Sequence, residues 1–183
     1  HYGVIKTPEK FWLRWKEPCG EPCKPSRFTA EEYPNELDRS VLQFFDPVRL
    51  LEYIHDFIIF DGGIKKAARP NQYFAVKAAQ PRICKKQNGI IWHSQGSGKS
   101  LTMIWLARWI RENVSDARVV IITDRDELDK QIESGFKDAG EQIQRAKSGG
   151  KLIKMLNAAE PWLICTLIHK FGNKNDGDAI SVG

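Results

Sequence analysis

The sequence predicts an α/β fold built on a parallel sheet, and three observations carry that expectation. Short apolar runs recur along the chain, at Gly89-Ile90-Ile91-Trp92, Arg118 to Thr123 and Trp162 to Thr166, with helical patterns between them. The runs are continuously apolar rather than alternating, as in strands buried on both faces of a parallel sheet. A glycine-rich segment, His93-Ser-Gln-Gly-Ser-Gly-Lys-Ser100, separates the first run from a helical stretch. Loops at the carboxyl ends of strands are where such sheets bind ligands.

Each element has its own reason. Residues 1–45 are rich in proline, tryptophan and charge without a sustained period, and read as an irregular segment. Within it Phe11, Trp12 and Trp15 are candidate anchors onto a neighbouring domain or upstream chain. Asp46-Pro47 is a helix start, with Asp as N-cap and Pro in the first turn. Val48, Leu51, Ile54, Phe57 and Ile58 follow at helical spacing and are expected to face the core, with Asp61-Gly62-Gly63 as the stop. A second helix is expected from Pro70 through Ala79, before Pro81. Leu101 to Glu112 reads as a helix apolar almost all round, broken at Ser115-Asp116. The run Arg118 to Thr123 ends in a loop, Thr123 to Asp126, leading into a helix from Glu127 to Ala139. A helix over Lys151–Asn157 precedes the last strand. The expected organisation is a linker segment, 1–45, and one α/β unit, 46–183.

The chain has 183 residues, 42% apolar and 28% charged, with a net charge of +5. No apolar stretch approaches the roughly 20 residues needed to cross a bilayer. No signal-peptide pattern opens the chain, so a cytoplasmic location is expected. It begins at His1 rather than Met, consistent with part of a longer polypeptide. Lys65, Lys66, Arg69, Lys77, Arg82, Lys85 and Lys86 fall in a stretch without an acidic residue. Such a run suits a polyanion, and equally a solvated helix face. Cys19 and Cys23 have a spacing that fits half of a zinc site, but no second close pair of Cys or His follows. Cys165 reads as a buried core thiol.

The glycine-rich segment carries the chemistry. Gly96 and Gly98 lack Cβ, so the backbone can curl until successive N–H groups converge on one anion. Lys99 supplies a point charge for the β- and γ-phosphates of a nucleotide, and the Ser100 hydroxyl is a ligand for Mg²⁺. The general phosphate-loop pattern has Gly five positions before Gly98, where this chain has His93. That departure favours a motor over a small-molecule kinase. Gln72 opens the second helix, 27 positions before Lys99. Its side chain offers a donor and an acceptor side by side, matching the adenine edge; a surface glutamine is the other reading.

Five runs lie in a telling order: Phe60-Asp61, Ala68-Arg-Pro-Asn-Gln-Tyr-Phe-Ala-Val76, Gly89 through Met103, Ile122 through Gln131, and Thr166-Leu-Ile-His-Lys-Phe171. Together they resemble the restriction (R) subunit of type I restriction enzymes, a superfamily-two helicase-like DNA translocase. The resemblance is strongest from Arg49 to Gly172. It implies a RecA-like P-loop NTPase lobe, in part, preceded by the irregular and helical N-terminal segment. It implies that ATP is held by Gln72, Gln95, Gly96, Ser97, Gly98, Lys99, Ser100 and Leu101. Lys99 and Ser100 would be catalytic, and Ser100 would bind Mg²⁺. Thr123, Asp124, Arg125 and Gln131 match one segment along the family's DNA track, and Thr166, Lys170 and Phe171 match the next. Asp124 and Asp126 would equally serve as helix caps.

The family's Asp-Glu-Ala-His segment does not occur before Gly183, nor does the second motor lobe. The upstream nuclease's acidic-x-Lys signature is not met at Lys6, which has Val4 two positions before it. The expectation is therefore an excerpt of the subunit that binds ATP without efficient hydrolysis, since phosphoryl transfer needs several positioned elements. The intact enzyme would use ATP to pump duplex DNA, with methyltransferase and specificity subunits as partners, before cleavage. Another superfamily-two motor is the first alternative, and a P-loop kinase or ATP-sensing module the second.

Overall fold

The computed structural model describes residues 2–4, 6–17 and 35–171, so Cys19 and Cys23 lie outside the described residues. The chain divides into two compact units, residues 1–60 with 64–109, and residues 61–63 with 110–183.

The first unit is built around aromatic side chains. Helix α1 spans Glu36–Phe44 and α2 spans Pro47–Asp56, the latter started by Asp46, whose carboxylate accepts from the N–H groups of Val48 and Arg49 at 3.1 and 3.3 Å. Strands β1 (Ile58–Asp61) and β2 (Ile64–Ala67) form a two-stranded sheet. Asp61-Gly62-Gly63 therefore turns a hairpin rather than ending a helix. Gly62 and Gly63 take φ of 57° and 81°, the left-handed pair that a two-residue hairpin turn requires.

The face of α2 is also a correction. Val48, Leu51 and Ile54, expected in the core, are exposed; Phe57 is buried as expected, and Tyr53 is buried with it. Trp15 decides this. Buried itself, it lies with its ring centroid 5.0–6.3 Å from those of Tyr2, Phe44, Tyr53, Tyr73 and Phe74. Large rings bury more apolar area than the aliphatic stripe would, and so fix which side of α2 turns inward. Arg49 seals the cluster, its guanidinium 5.5 Å from the Trp15 ring and paired with Glu17. The described part of residues 1–45 thus shares a core with α2, so no seam falls at residue 45. Phe11 and Trp12 stay exposed.

Helix α3 runs Pro70–Cys84, past the expected stop at Ala79 and with Pro81 inside it. Proline leaves the carbonyl four residues back without its helical donor. The next turn holds nonetheless, with Lys85 N–H donating to Pro81 O at 3.2 Å, and the helix ends where Lys86 takes φ 53°. Helix α4 spans Lys99–Asn113 and buries Thr102, Ile104, Trp105 and Ala107.

The expected strand at Gly89–Trp92 does not form. Ile90 and Trp92 are 90% and 88% exposed. A strand exists through its neighbours' hydrogen bonds, and no described strand pairs with this run. Beside it lies an apolar groove of about 1050 Å³, lined in part by Phe74, Ala78, Ile83, Ile90 and Leu106.

The second unit holds the parallel sheet. Strands β3 (Val119–Thr123), β4 (Gln144–Arg145) and β5 (Leu163–Leu167) are ordered β3-β5-β4. Val119 pairs with Leu163 and Thr123 with Leu167, while Arg145 pairs with Cys165. Every residue of the central strand is buried. Of the three expected strands, β3 and β5 form and residues 89–92 do not; the third described strand of this sheet, β4, was not expected. Helix α5 (Asp126–Asp138) buries Ile132 and Phe136, and α6 (Gly149–Asn157) sets Leu152 and Met155 against Ile164. Burial pushes the Cys165 thiol up to about 12, as expected of a core cysteine.

Candidate nucleotide site and the carboxyl edge of the sheet

In the first unit, residues 93–98 form an irregular loop running straight into α4. Gly96 and Gly98 take φ of 74° and 80°, a region costly for residues with a Cβ. The loop is tied by its own polar groups. Ser97 Oγ donates to Ser94 O at 2.7 Å, and Lys99 Nζ donates to His93 O at 3.2 Å and Ser94 O at 2.8 Å. Lys99 is the first residue of α4, whose opening N–H groups have no partner within the helix. A cavity of about 490 Å³ opens here, lined by Arg69, Asn71 and residues 92–97. Gln95 and Gly96 are exposed on it, and Ser100 and Leu101 are half-buried in the first turn of α4.

Gln72 lies behind this loop, 2% exposed. Its Oε1 accepts from Arg69 N–H at 2.8 Å, and its Nε2 donates to Ser97 O at 3.1 Å and Gly98 O at 2.9 Å. A Cβ at Gly98 would collide with that Nε2. His93, at the position where the general pattern has glycine, keeps a buried Nδ1 without a partner. The acid-free basic run is spread over β2, α3 and the residues at the two ends of α3. Lys77 pairs with Glu52, Arg82 donates to Asn88 O at 3.3 Å, and Lys65 lies 5.7 Å from the Phe60 ring centroid.

In the second unit the parallel register brings the ends of β3 and β5 to one edge of the sheet. The two segments expected along DNA therefore meet there. Their residues divide by burial. Thr123 and Thr166 are sealed in the sheet, Thr123 Oγ1 donating to Asp129 Oδ1 at 3.5 Å and Thr166 Oγ1 without a partner. Asp124, Arg125 and Gln131 are exposed, as is Phe171, with Lys170 half-buried. Asp124 pairs with Arg125 at 3.6 Å and caps nothing. Asp126 and the fully buried Asp129 are both gripped by Arg145. Hydrogen bonds from Lys130 and then Arg145 hold the Asp126 carboxyl below the usual carboxylate range.

A third loop at this edge escaped the sequence reading. After β4 the chain passes Lys147 to Ser148, whose hydroxyl accepts from Lys151 N–H at 3.2 Å and caps α6. A Cβ at Gly149 would stand 3.0 Å from Lys170 O, so glycine allows this loop to approach the segment after β5. The signal was present as Ser148-Gly149-Gly150 ahead of an apolar-periodic stretch.

A family model described as SWI2/SNF2 ATPase matches residues 71–182. A type I restriction enzyme endonuclease subunit of Methanocaldococcus jannaschii is 32% identical over 151 residues, 76% of this chain and 14% of that protein. One of Staphylococcus aureus is 30% identical over 149 residues, 79% of this chain and 16% of its own length. One of Haemophilus influenzae is 29% identical over 145 residues, 65% of this chain and 14% of its own. The chain thus spans about one-seventh of the length of these relatives. Its mixed α/β architecture with a parallel sheet is that of a partial RecA-like lobe, and no helix among the described residues is long and apolar enough to cross a membrane. The glycine loop at the head of α4, the ordered motifs and these likenesses agree: the chain belongs to the SWI2/SNF2 ATPase family, as part of a type I restriction enzyme endonuclease (R) subunit.

Proposed function

We propose that this chain is the ATP-binding part of a restriction subunit that spends ATP hydrolysis on translocating duplex DNA before cleavage. The observation that carries the reading is the loop itself. Two glycines at positive φ lead into a helix whose first residue is Lys99. On binding, the Lys99 ammonium exchanges the carbonyls of His93 and Ser94 for β- and γ-phosphate oxygens, a stronger, charge-assisted pairing. The N–H groups of Gly96 to Ser100 supply the remaining donors, favoured by the dipole of α4.

Mg²⁺ fits the donor set. Ser100 offers one hydroxyl oxygen, and this small, hard ion takes few protein ligands and completes its shell with water and phosphate oxygens. When bound, it neutralises charge on the phosphates. Lys99 and Ser100 are the catalytic pair in this reading, with Gln95 to Leu101 as the nucleotide-holding set and Gln72 in contact with the loop from behind.

Duplex DNA would lie along the carboxyl edge of the sheet, where Asp124, Arg125, Gln131, Lys170 and Phe171 reach solvent. Thr123 and Thr166 would act there through the backbone they anchor. Methyltransferase and specificity subunits would be the protein partners, in the cytoplasm. Support for restriction comes from the relatives' names, and for ATP use from the family match.

The test is Lys99→Ala in the full chain, followed by calorimetric titration with Mg·ATP. Affinity should fall at least about a hundredfold, given the worth of charge-assisted phosphate contacts. Undiminished affinity would remove the loop from the site. The unaltered chain should turn ATP over very slowly.

A further inference from the structure

The cations of the second unit divide into two groups. Arg111, Arg125, Lys130, Lys137 and Arg145 pair with carboxylates, and Arg118 donates to the carbonyls of Leu156 and Ala158 at the end of α6. The ammonium groups of Lys147, Lys151, Lys154 and Lys170 have no ion-pair or hydrogen-bond partner among the described residues. The fold gathers these four around α6. Leu152 and Met155 turn into the core, which leaves Lys151 and Lys154, three residues apart, as neighbours on the exposed side of the helix. Lys147 is exposed in the loop before it. Lys170 belongs to the 3-10 turn Ile168–Phe171, which packs against α6, its carbonyl 3.0 Å from where a Cβ on Gly149 would stand.

Nothing within the unit neutralises this surface. Glu160 is the one acidic residue between Gln142 and Phe171. Lys151 and Lys154 repel each other, and Lys151 stands in the first turn of α6, where the helix dipole disfavours a cation. The fold gains nothing from such a placement, whereas a polyanion laid across it removes both penalties. Nine residues make α6 about 13 Å long, a length over which one strand of a duplex presents about four phosphates. At its near end the surface joins Lys170 and Phe171, which already lie on the proposed DNA track.

We propose that the lysine surface of α6, formed by Lys147, Lys151 and Lys154, is a further contact with duplex DNA, one that grips phosphates without reading base sequence. The inference rests on the DNA reading above and extends it from the loops at the sheet's edge onto the outer side of a helix.

Titrating the full 183-residue chain with random-sequence duplex DNA over a series of salt concentrations tests it. The proteins compared are the unaltered chain, Lys151→Gln with Lys154→Gln, and Lys151→Arg with Lys154→Arg, each shown to be folded by circular dichroism. The glutamine pair should weaken binding about tenfold at low salt, and should flatten the slope of log affinity against log salt by about 0.9 for each lysine removed. The arginine pair keeps both charges and should bind like the unaltered chain. Lys137→Gln removes an exposed lysine that is already paired with Glu133, and should leave affinity and slope unchanged. A glutamine pair with the affinity and slope of the unaltered chain would overturn the proposal. So would polyglutamate binding as tight as that of the duplex and lost with the same substitutions, since the surface would then suit an acidic protein. If Arg125→Gln abolishes duplex binding while the glutamine pair leaves it intact, the DNA reading stands and this inference alone falls. If the unaltered chain binds no duplex, both fall together.

Discussion

Two apolar runs of similar composition meet opposite fates in this chain. Leu163–Leu167 is buried at every position, while in Gly89–Trp92 the side chains of Ile90 and Trp92 stand almost wholly in water. The first run has a strand on each side, β3 and β4, in parallel register. The second has none among the described residues. Side chains alone do not make a strand; the backbone groups of the run must find partners, and without an edge to pair with they are satisfied by water. Both runs nevertheless lead into loops of the proposed sites. The glycine loop after residue 92 keeps its shape because its polar groups close on one another, through Ser97, Lys99 and Gln72. The loops after β3 and β5 are placed instead by the sheet beneath them.

In the second unit a buried charge pair lies beside the sheet. Asp129 is fully buried and answered by Arg145, itself largely covered. Removing the guanidinium leaves a buried carboxylate unpaired, which costs about 3–5 kcal/mol. Arg145→Ala should therefore lower stability by that amount in denaturant titration. A loss typical of surface ion pairs would mean that water reaches Asp129. Next in size is Ile164→Ala in the central strand, where a fully buried side chain is replaced by a cavity. The expected cost is about 2–5 kcal/mol, read from the same denaturation curves.

These sites also mark how far the sequence was legible. The glycine loop was readable because its chemistry is local, with turn, ammonium and hydroxyl contiguous from Gly96 to Ser100. Strands β3 and β5 announced themselves as apolar runs, and their parallel pairing carried both expected DNA segments to one edge. Strand β4 did not, since its two residues, Gln144 and Arg145, are polar and their role lies in reaching β5 and Asp129. The face of α2 was misjudged for a non-local reason. Val48, Leu51 and Ile54 form a regular stripe, but the partner that selects the other face is Trp15, more than thirty residues upstream. Gln72 was singled out by position, whereas its bonds to Ser97 and Gly98 required the fold.

The aromatic core of the first unit offers a smaller effect, tuned by pH. Burial pushes the Tyr2 hydroxyl from 10.0 up to about 12, and raises those of Tyr53 and Tyr73 in the same direction. A raised folded value means the folded unit holds the proton more tightly than the unfolded chain. The associated stability is complete below pH 10 and is lost as pH rises through about 12. For Tyr2 the loss is at most about 1.4 kcal/mol for each pH unit in that window. Denaturation midpoints should stay level up to pH 10 and fall beyond it, with tyrosinate absorbance rising over the same range. Absorbance that rises at the ordinary value, without loss of stability, would show these rings to be open to water.

The smallest expected effect is the sharpest test of the comparison. Trp92 is among the largest apolar side chains in the molecule, and in a packed strand its removal would cost several kcal/mol. At 88% exposed it has little burial to lose. Trp92→Ser should change stability by less than about 0.5 kcal/mol, the range of surface substitutions without special contacts. Because Trp92 also lines the cavity beside the glycine loop, nucleotide affinity is measured separately and does not enter this comparison. A destabilisation rivalling that of Ile164→Ala would mean that residues 89–92 are packed against a neighbour after all. The two apolar runs would then differ in sequence position only, and the missing edge would no longer explain why one of them fails to become a strand.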